Sequence, residues 1–195
     1  MKNKINKLLP NHILVKSNAK ELFVVDYKNY SIGDVSLLEK KPTDIKCVSL
    51  NNQNEVSVWF DGFKENALPI KKGQYNRQCE CVIFPETCKV EDWVLFIEIK
   101  YSDNIQNAFR VENNYPYCMV EQIVETINYF RTNNILESNK RATAIVSFPN
   151  LMEEFSGFFF DFIDATIEDI LSKYKILIYP TNSVKIISNK RIKLN

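Results

Sequence analysis

A chain of 195 residues with 45% hydrophobic side chains, 13 Phe and 9 Tyr can bury a full core and is no disordered tether. Its 25 Lys and Arg against 24 Asp and Glu leave a formal charge of +1, which excludes a broad basic surface gripping nucleic acid non-specifically. One histidine, His12, excludes a multi-histidine metal centre, and the five cysteines include no CxxC or zinc-ligand spacing.

The opening MKNKINKLLPNHILV is basic but lacks an apolar run of signal-peptide length, and no segment approaches a transmembrane helix. The expectation is one domain over 1–195 in a soluble, cytoplasmic chain with reduced thiols and no membrane partner. Residues 1–43 carry the weakest signals. Glu21–Tyr27 (ELFVVDY) is an apolar run compatible with strand or helix, and Ile32–Glu39 with a helical turn or two before Pro42.

The core signals run from 44 to 188. Ile45–Leu50 and Val56–Phe60 flank NNQNE, which reads as a β-hairpin with an Asn-rich turn. Asp61–Gln78 is a connection. Cys79–Phe84 (CECVIF) reads as a strand stopped by Pro85, and Glu86–Asp92 as a polar loop. Trp93–Tyr101 (WVLFIEIKY) is a strand rich in aromatic and β-branched residues.

Pro116 marks a helix start, and Met119, Val120, Ile123, Ile127 and Phe130 recur at spacings of three and four to about Asn133. Ala142–Phe148 is a further strand, residues 160–173 a helix, and Lys175–Tyr179 with Val184–Ile187 a terminal strand pair around PTNS. The sum is an α/β or α+β domain on a mixed sheet.

FIEIKYS, Phe96 to Ser102, carries the chemistry. Side chains alternate along a strand, so Glu98 and Lys100 share one face while Ile97, Ile99 and Tyr101 take the other. Unpaired burial of either charge is costly, so the pair implies exposure, mutual pairing or a ligand. In CECVIF, Glu80 stands opposite the face of Cys79, Cys81 and Ile83. If the two strands are neighbours, Glu80 and Glu98 converge as the hard oxygen site that Mg²⁺ or Mn²⁺ accepts. A divalent ion there lowers the pKa of a bound water, and a nearby lysine stabilises charge on phosphoryl oxygens.

An acid, a linker, ExK on an adjacent strand and then a helix carrying Gln resembles the PD-(D/E)XK, or restriction-endonuclease-like, superfamily over about residues 55–148. The resemblance implies a restriction-endonuclease-like core with helices flanking a mixed sheet. It implies Glu80 and Glu98 as metal-binding acids aided by the Ile99 backbone carbonyl, Lys100 as the catalytic lysine, and Gln122 as the helix glutamine. Thr126 lies one turn further along the same helix face. The implied activity is Mg²⁺- or Mn²⁺-dependent hydrolysis of DNA, within a bacterial nucleic-acid processing or antiviral defence system. Near-neutral charge implies that DNA is delivered by a partner subunit or gripped by a homodimer. Glu80 stands where the family usually has Asp, and Glu21 or Glu39 could add an N-terminal acid.

Two other readings compete. One is a catalytically silent module of the same fold, used for binding or assembly. The other is an unrelated α+β protein, which Glu80 and Glu98 on distant strands or opposite faces would establish. Cys79 and Cys81 read as small buried hydrophobes and His12 as incidental. Phe155, Phe158, Phe159, Phe160 and Phe162 form an aromatic cluster too broad to face one core. Lys190, Arg191 and Lys193 suit either a phosphate-tracking tail or a solvated terminus. Lys71, Lys72 and Arg77 are better placed, just upstream of Glu80.

Overall fold

The computed structural model describes residues 1–151, 153–157, 159–163 and 166–194. Helix α1 (Lys2–Leu8) leads into strands β1 (His12–Ser17), β2 (Glu21–Asp26), β3 (Val35–Leu38), β4 (Val48–Asn51) and β5 (Val58–Phe63). A small hairpin, β6 (Pro69–Lys71) and β7 (Gln74–Tyr75), precedes β8 (Cys81–Pro85) and β9 (Leu95–Ile99). Then come α2 (Ile105–Ala108), α3 (Tyr115–Thr132), β10 (Ala142–Ser147), α4 (Ile167–Tyr174), β11 (Ile176–Pro180), β12 (Ser183–Ser188) and β13 (Arg191–Leu194). Short 3₁₀ turns lie at Tyr27–Tyr30, Glu153–Gly157 and Phe159–Phe162.

The strands form a six-stranded sheet, ordered β1-β5-β8-β9-β10-β11, and a five-stranded sheet, ordered β13-β12-β4-β2-β3. Both are mixed, so the architecture is α+β with few helices. In the larger sheet β5, β8 and β9 run antiparallel, and β10 returns parallel to β9 after α3. Such a parallel return needs a crossover, which α3 supplies.

Strand alternation divides the core in two. Phe60, Cys81, Ile83, Leu95 and Ile97 point towards Leu22, Val24, Val35, Val48, Leu50, Val184 and Ile186 of the smaller sheet. Phe63, Val82, Phe84, Phe96, Ala144 and Val146 point towards Ile5, Met119, Ile123, Ile127 and Phe130 of the helices. The order is therefore helices, large sheet, small sheet. The sheets approach closely at Gly62, where a Cβ would lie 2.9 Å from both Phe60 and Val35.

Two expected hairpins are instead corners between sheets. β4 pairs with β2 and β12, while β5 pairs with β1 and β8. NNQNE thus hands the chain from one sheet to the other, held by buried Asn52. Its side chain accepts from Val56 N–H and donates to the carbonyls of Ala19 and Val56, each at 3.0 Å. Likewise β11 belongs to the large sheet and β12 to the small one, so PTNS is a second corner.

Other expectations change too. Glu21–Asp26 resolves as strand, and the helical turn sought within Ile32–Glu39 is strand β3, recruited by antiparallel pairing with β2. Tertiary pairing outweighs local propensity there. The helix expected over 160–173 is described as the turn at Phe159–Phe162 and α4, which opens with a Thr166–Asp169 capping box. Phe155 and Phe159 are core and Phe162 is exposed; Phe158 lies outside the described residues. The basic tail is not coil: β13 pairs with β12, while the Lys190, Arg191 and Lys193 side chains stay exposed and Lys190 sits 3.5 Å from Glu91. No helix among the described residues is long and apolar enough to cross a membrane.

His12 is not incidental. Its Nδ1 lies 2.6 Å from Oδ1 of fully buried Asp61. The hydrogen bond with Asp61 raises the His12 pKa above its ordinary 6.5, against the opposing effect of burial. A raised folded-state pKa gives stability that is complete below pH 6.5 and fades as pH climbs through the folded value. The melting temperature of the wild type is therefore expected to fall towards that of His12→Gln as pH rises above 6.5. A gap between the two that stays constant through that rise would rule out the linkage.

Candidate active site

β8 and β9 are antiparallel neighbours whose last paired residues are Cys81 and Ile97. One residue beyond, the Glu80 N–H donates to the Ile97 carbonyl at 3.0 Å, and the Glu80 carbonyl accepts from Phe63 N–H at 2.9 Å. These bonds hold Glu80 beside Glu98 on the helix-side face. The bend at Glu80 also changes the expected alternation. Cys79 joins the helix-side core, whereas Cys81 joins the core between the sheets. Burial raises both thiol pKa values, consistent with packing roles and no nucleophilic one.

Glu98 is fully buried, and Lys100 Nζ lies 2.5 Å from its Oε1. Glu98 Oε2 has no hydrogen-bond partner among the described residues. Burial pushes the Glu98 pKa up to about 8; the Lys100 charge pulls it down and that of Glu80 pushes it further up. Burial works to lower Lys100, but Glu98 and Glu80 outweigh it and hold its ammonium above the usual range. Lys100 is thus a firm cation facing two carboxylates.

Two further site residues come from the poorly legible N-terminal part. Lys28 Nζ forms an ion pair with Glu80 Oε2. Asp26, which ends β2, is buried, and burial followed by the Glu80 charge pushes its pKa up to about 6. Tyr101, directly after Lys100, ties these regions together. Its hydroxyl accepts from Asp26 N–H at 3.3 Å and donates to the Lys46 carbonyl at 3.0 Å. The N-terminal acid near the site is thus Asp26. Glu21 is exposed at the far end of β2, and Glu39 accepts from Ser17 Oγ at 2.6 Å. The signal for the missed pair was D-Y-K closing the apolar run ELFVV, which repeats the acid-x-lysine alternation of E-I-K.

Helix α3 positions the first acid. Gln122 Nε2 donates to the Gln78 carbonyl at 2.9 Å, and Thr126 Oγ1 accepts from Cys79 N–H at 2.9 Å while donating to the Gln122 carbonyl at 2.7 Å. Gln122 therefore acts on the segment entering β8 and does not bond either carboxylate. Glu80 opens onto a cleft of about 600 Å³, lined also by the acids Asp34 and Glu65 and by Lys28, Arg77, Gln78 and Gln122. Arg77 is tethered there by Glu121, and its N–H donates to Glu125 at 2.9 Å.

Among the described residues no three His, Cys, Asp or Glu side chains form a ready metal cage. The available donors are the carboxylates of Glu80 and Glu98, with the main-chain carbonyl of Ile99 between Glu98 and Lys100. Mg²⁺ commonly binds through one or two carboxylates and keeps several waters, so this all-oxygen set fits such an ion. Unpartnered Glu98 Oε2 points the same way. Searches of known protein families, curated proteins and solved structures return no match to this chain.

Proposed function

We propose that the chain is a Mg²⁺- or Mn²⁺-dependent nuclease hydrolysing DNA phosphodiester bonds. The observation that carries this reading is the meeting of Glu80 and Glu98 from adjacent strands, with Lys100 paired to the fully buried Glu98 and Glu80 on the wall of a polar cleft. The succession β8, β9, α3, β10 adds support for a restriction-endonuclease-like core. A divalent ion held by Glu80, Glu98 and the Ile99 carbonyl would supply a water of lowered pKa and neutralise phosphate charge.

The chain's own groups do the rest. Lys100 presents a fixed ammonium that orients the attacking water and stabilises charge growing on the phosphoryl oxygens. Glu98 holds that ammonium, and its rigid burial keeps the pair preorganised. Gln122 and Thr126 fix residues 78 and 79, so Glu80 stays at the cleft wall. Lys28 balances Glu80 and lies on the same cleft, where it can meet a phosphate. A partner subunit or second copy would complete the grip that a charge of +1 leaves weak.

The test is incubation of supercoiled plasmid and single-stranded DNA with Mn²⁺, Mg²⁺ or EDTA, comparing wild type with Glu98→Gln. Metal-dependent cleavage that vanishes in the variant is expected. Cleavage surviving in Glu98→Gln would remove the site from the reaction. One observation favours a catalytically silent module: both carboxylates are already neutralised, by Lys28 and Lys100. That module would show no cleavage and no Mn²⁺-induced rise in melting temperature dependent on Glu80 and Glu98.

A further inference from the structure

The hairpin β6–β7 stands apart from both large sheets and pairs only within itself. Its base is anchored. Ala67 and Leu68 are fully buried, Asn76 N–H donates to the Leu68 carbonyl at 2.9 Å, and Gln78 bridges Ala67 N–H and the Lys64 carbonyl. Its tip is open: Gly73 takes φ +75°, and nothing lies within 4 Å of the position its Cβ would occupy. The arm carries two large apolar side chains into solvent, Ile70 at 60% exposure and Tyr75 at 43%.

Charge singles out the same segment. From Asn66 to Cys79 there is no acidic residue, although the chain holds 24. Lys71 and Lys72 are exposed, and neither forms an ion pair among the described residues. The arm then runs directly into Asn76, Arg77 and Gln78, which line the cleft holding Glu80. A rigidly based arm with two free cations, an exposed aromatic ring and a catalytic-type cleft at its foot fits one ligand chemistry best: a nucleic-acid strand with accessible bases. A duplex offers phosphates but hides its base faces, and firm duplex binders neutralise several phosphates. Two lysines do not suffice for that, whereas an unstacked base can lie on Tyr75.

We propose that the β6–β7 hairpin is a binding arm for single-stranded DNA, with Lys71 and Lys72 on neighbouring phosphates and Tyr75 stacked on a base. The proposal rests on the nuclease reading for its substrate, which the arm would deliver to Glu80 as a single or locally opened strand.

Fluorescence anisotropy with a labelled oligothymidylate of about 15 nucleotides, in EDTA so that no cleavage occurs, tests it directly. Tyr75→Ala is expected to weaken binding about tenfold, and Tyr75→Phe to remain within about twofold of wild type, because the ring and not the hydroxyl stacks. Lys71→Glu with Lys72→Glu should reduce the slope of log affinity against log salt by about 1.4, two phosphate contacts on a single strand. All three variants change only exposed side chains, and unchanged melting curves check the fold. Wild-type affinity in every variant, no binding by the wild type, or tighter binding to the matching duplex would each overturn the arm. Binding lost in the variants of a chain that never cleaves DNA supports the arm and removes only the nuclease reading. Cleavage abolished by Glu98→Gln with binding indifferent to the hairpin removes only the arm.

Discussion

On the proposed nuclease reading, Lys100→Ala is expected to lower metal-dependent DNA cleavage by about 10²–10³-fold, the loss typical of one preorganised charge-stabilising donor. The same change should leave a pH-dependent mark on stability. Glu98 is fully buried, with Lys100 Nζ 2.5 Å away as its ion-pair partner. Removing one partner of a buried pair commonly costs about 3–5 kcal/mol, because the other charge stays buried alone. Glu98 has an escape: burial already raises it from 4.5 to about 8, and losing the ammonium that pulls it down raises it further.

The sign follows from proton counting. Between the unfolded value near 4.5 and the raised folded value, the folded chain holds more protons than the unfolded one, so stability falls as pH rises. Wild type shares this slope up to about pH 8, so the variant, its Glu98 value higher still, should track wild type below about pH 8 and melt progressively below it only above that. Lost cleavage with this pH-dependent gap identifies Lys100 as the charge partner of Glu98 as well as a catalytic group. Full cleavage in Lys100→Ala would place the reacting centre elsewhere.

Those parts of the site written in short-range periodicity were legible in the sequence. Two-residue alternation put Glu98 and Lys100 on one face, and spacings of three and four from Pro116 to about Asn133 described α3, which spans Tyr115–Thr132. What was not legible is which strand pairs with which. NNQNE and PTNS reverse the chain as turn sequences do, but nothing local says whether the next strand returns to the same sheet. Both times it joins the other sheet, because Val58 and Phe60 on one side and Val184 and Ile186 on the other all fill the space between the sheets. The small sheet brings Asp26 and Lys28 to Glu80, so missing its topology meant missing them. Gln122 was found by position, yet its role depends on a hydrogen bond to Gln78, 44 residues earlier, which no local pattern encodes.

Phe130→Ala is expected to destabilise the fold by about 3–5 kcal/mol, the range for emptying a buried aromatic site. Phe130 is fully buried on α3, and its ring meets Phe63 edge-on at 5.9 Å and Phe96 at 5.4 Å between centroids. Those two rings belong to β5 and β9, and Phe96 lies on the Glu98 face two residues away. Phe130 thus fastens α3 over the strands that carry the carboxylates. For a chain of this length the loss corresponds to a fall in melting temperature of about 6–20 °C. Urea unfolding of the variant, with Val111→Ala as an exposed control at 84% exposure, measures it. The control should move by less than about 0.5 kcal/mol. A second consequence separates packing from mere stability. Thr126 and Gln122 sit one and two turns before Phe130 on α3 and hold residues 78–79 by hydrogen bonds, so loosening the helix should also loosen Glu80. On the proposed metal site, Mn²⁺ affinity, measured well below the variant's melting range by isothermal titration, should then weaken along with the fold. An intact Mn²⁺ affinity in a chain destabilised by several kcal/mol would show that the strands alone position the carboxylates and that α3 only covers them.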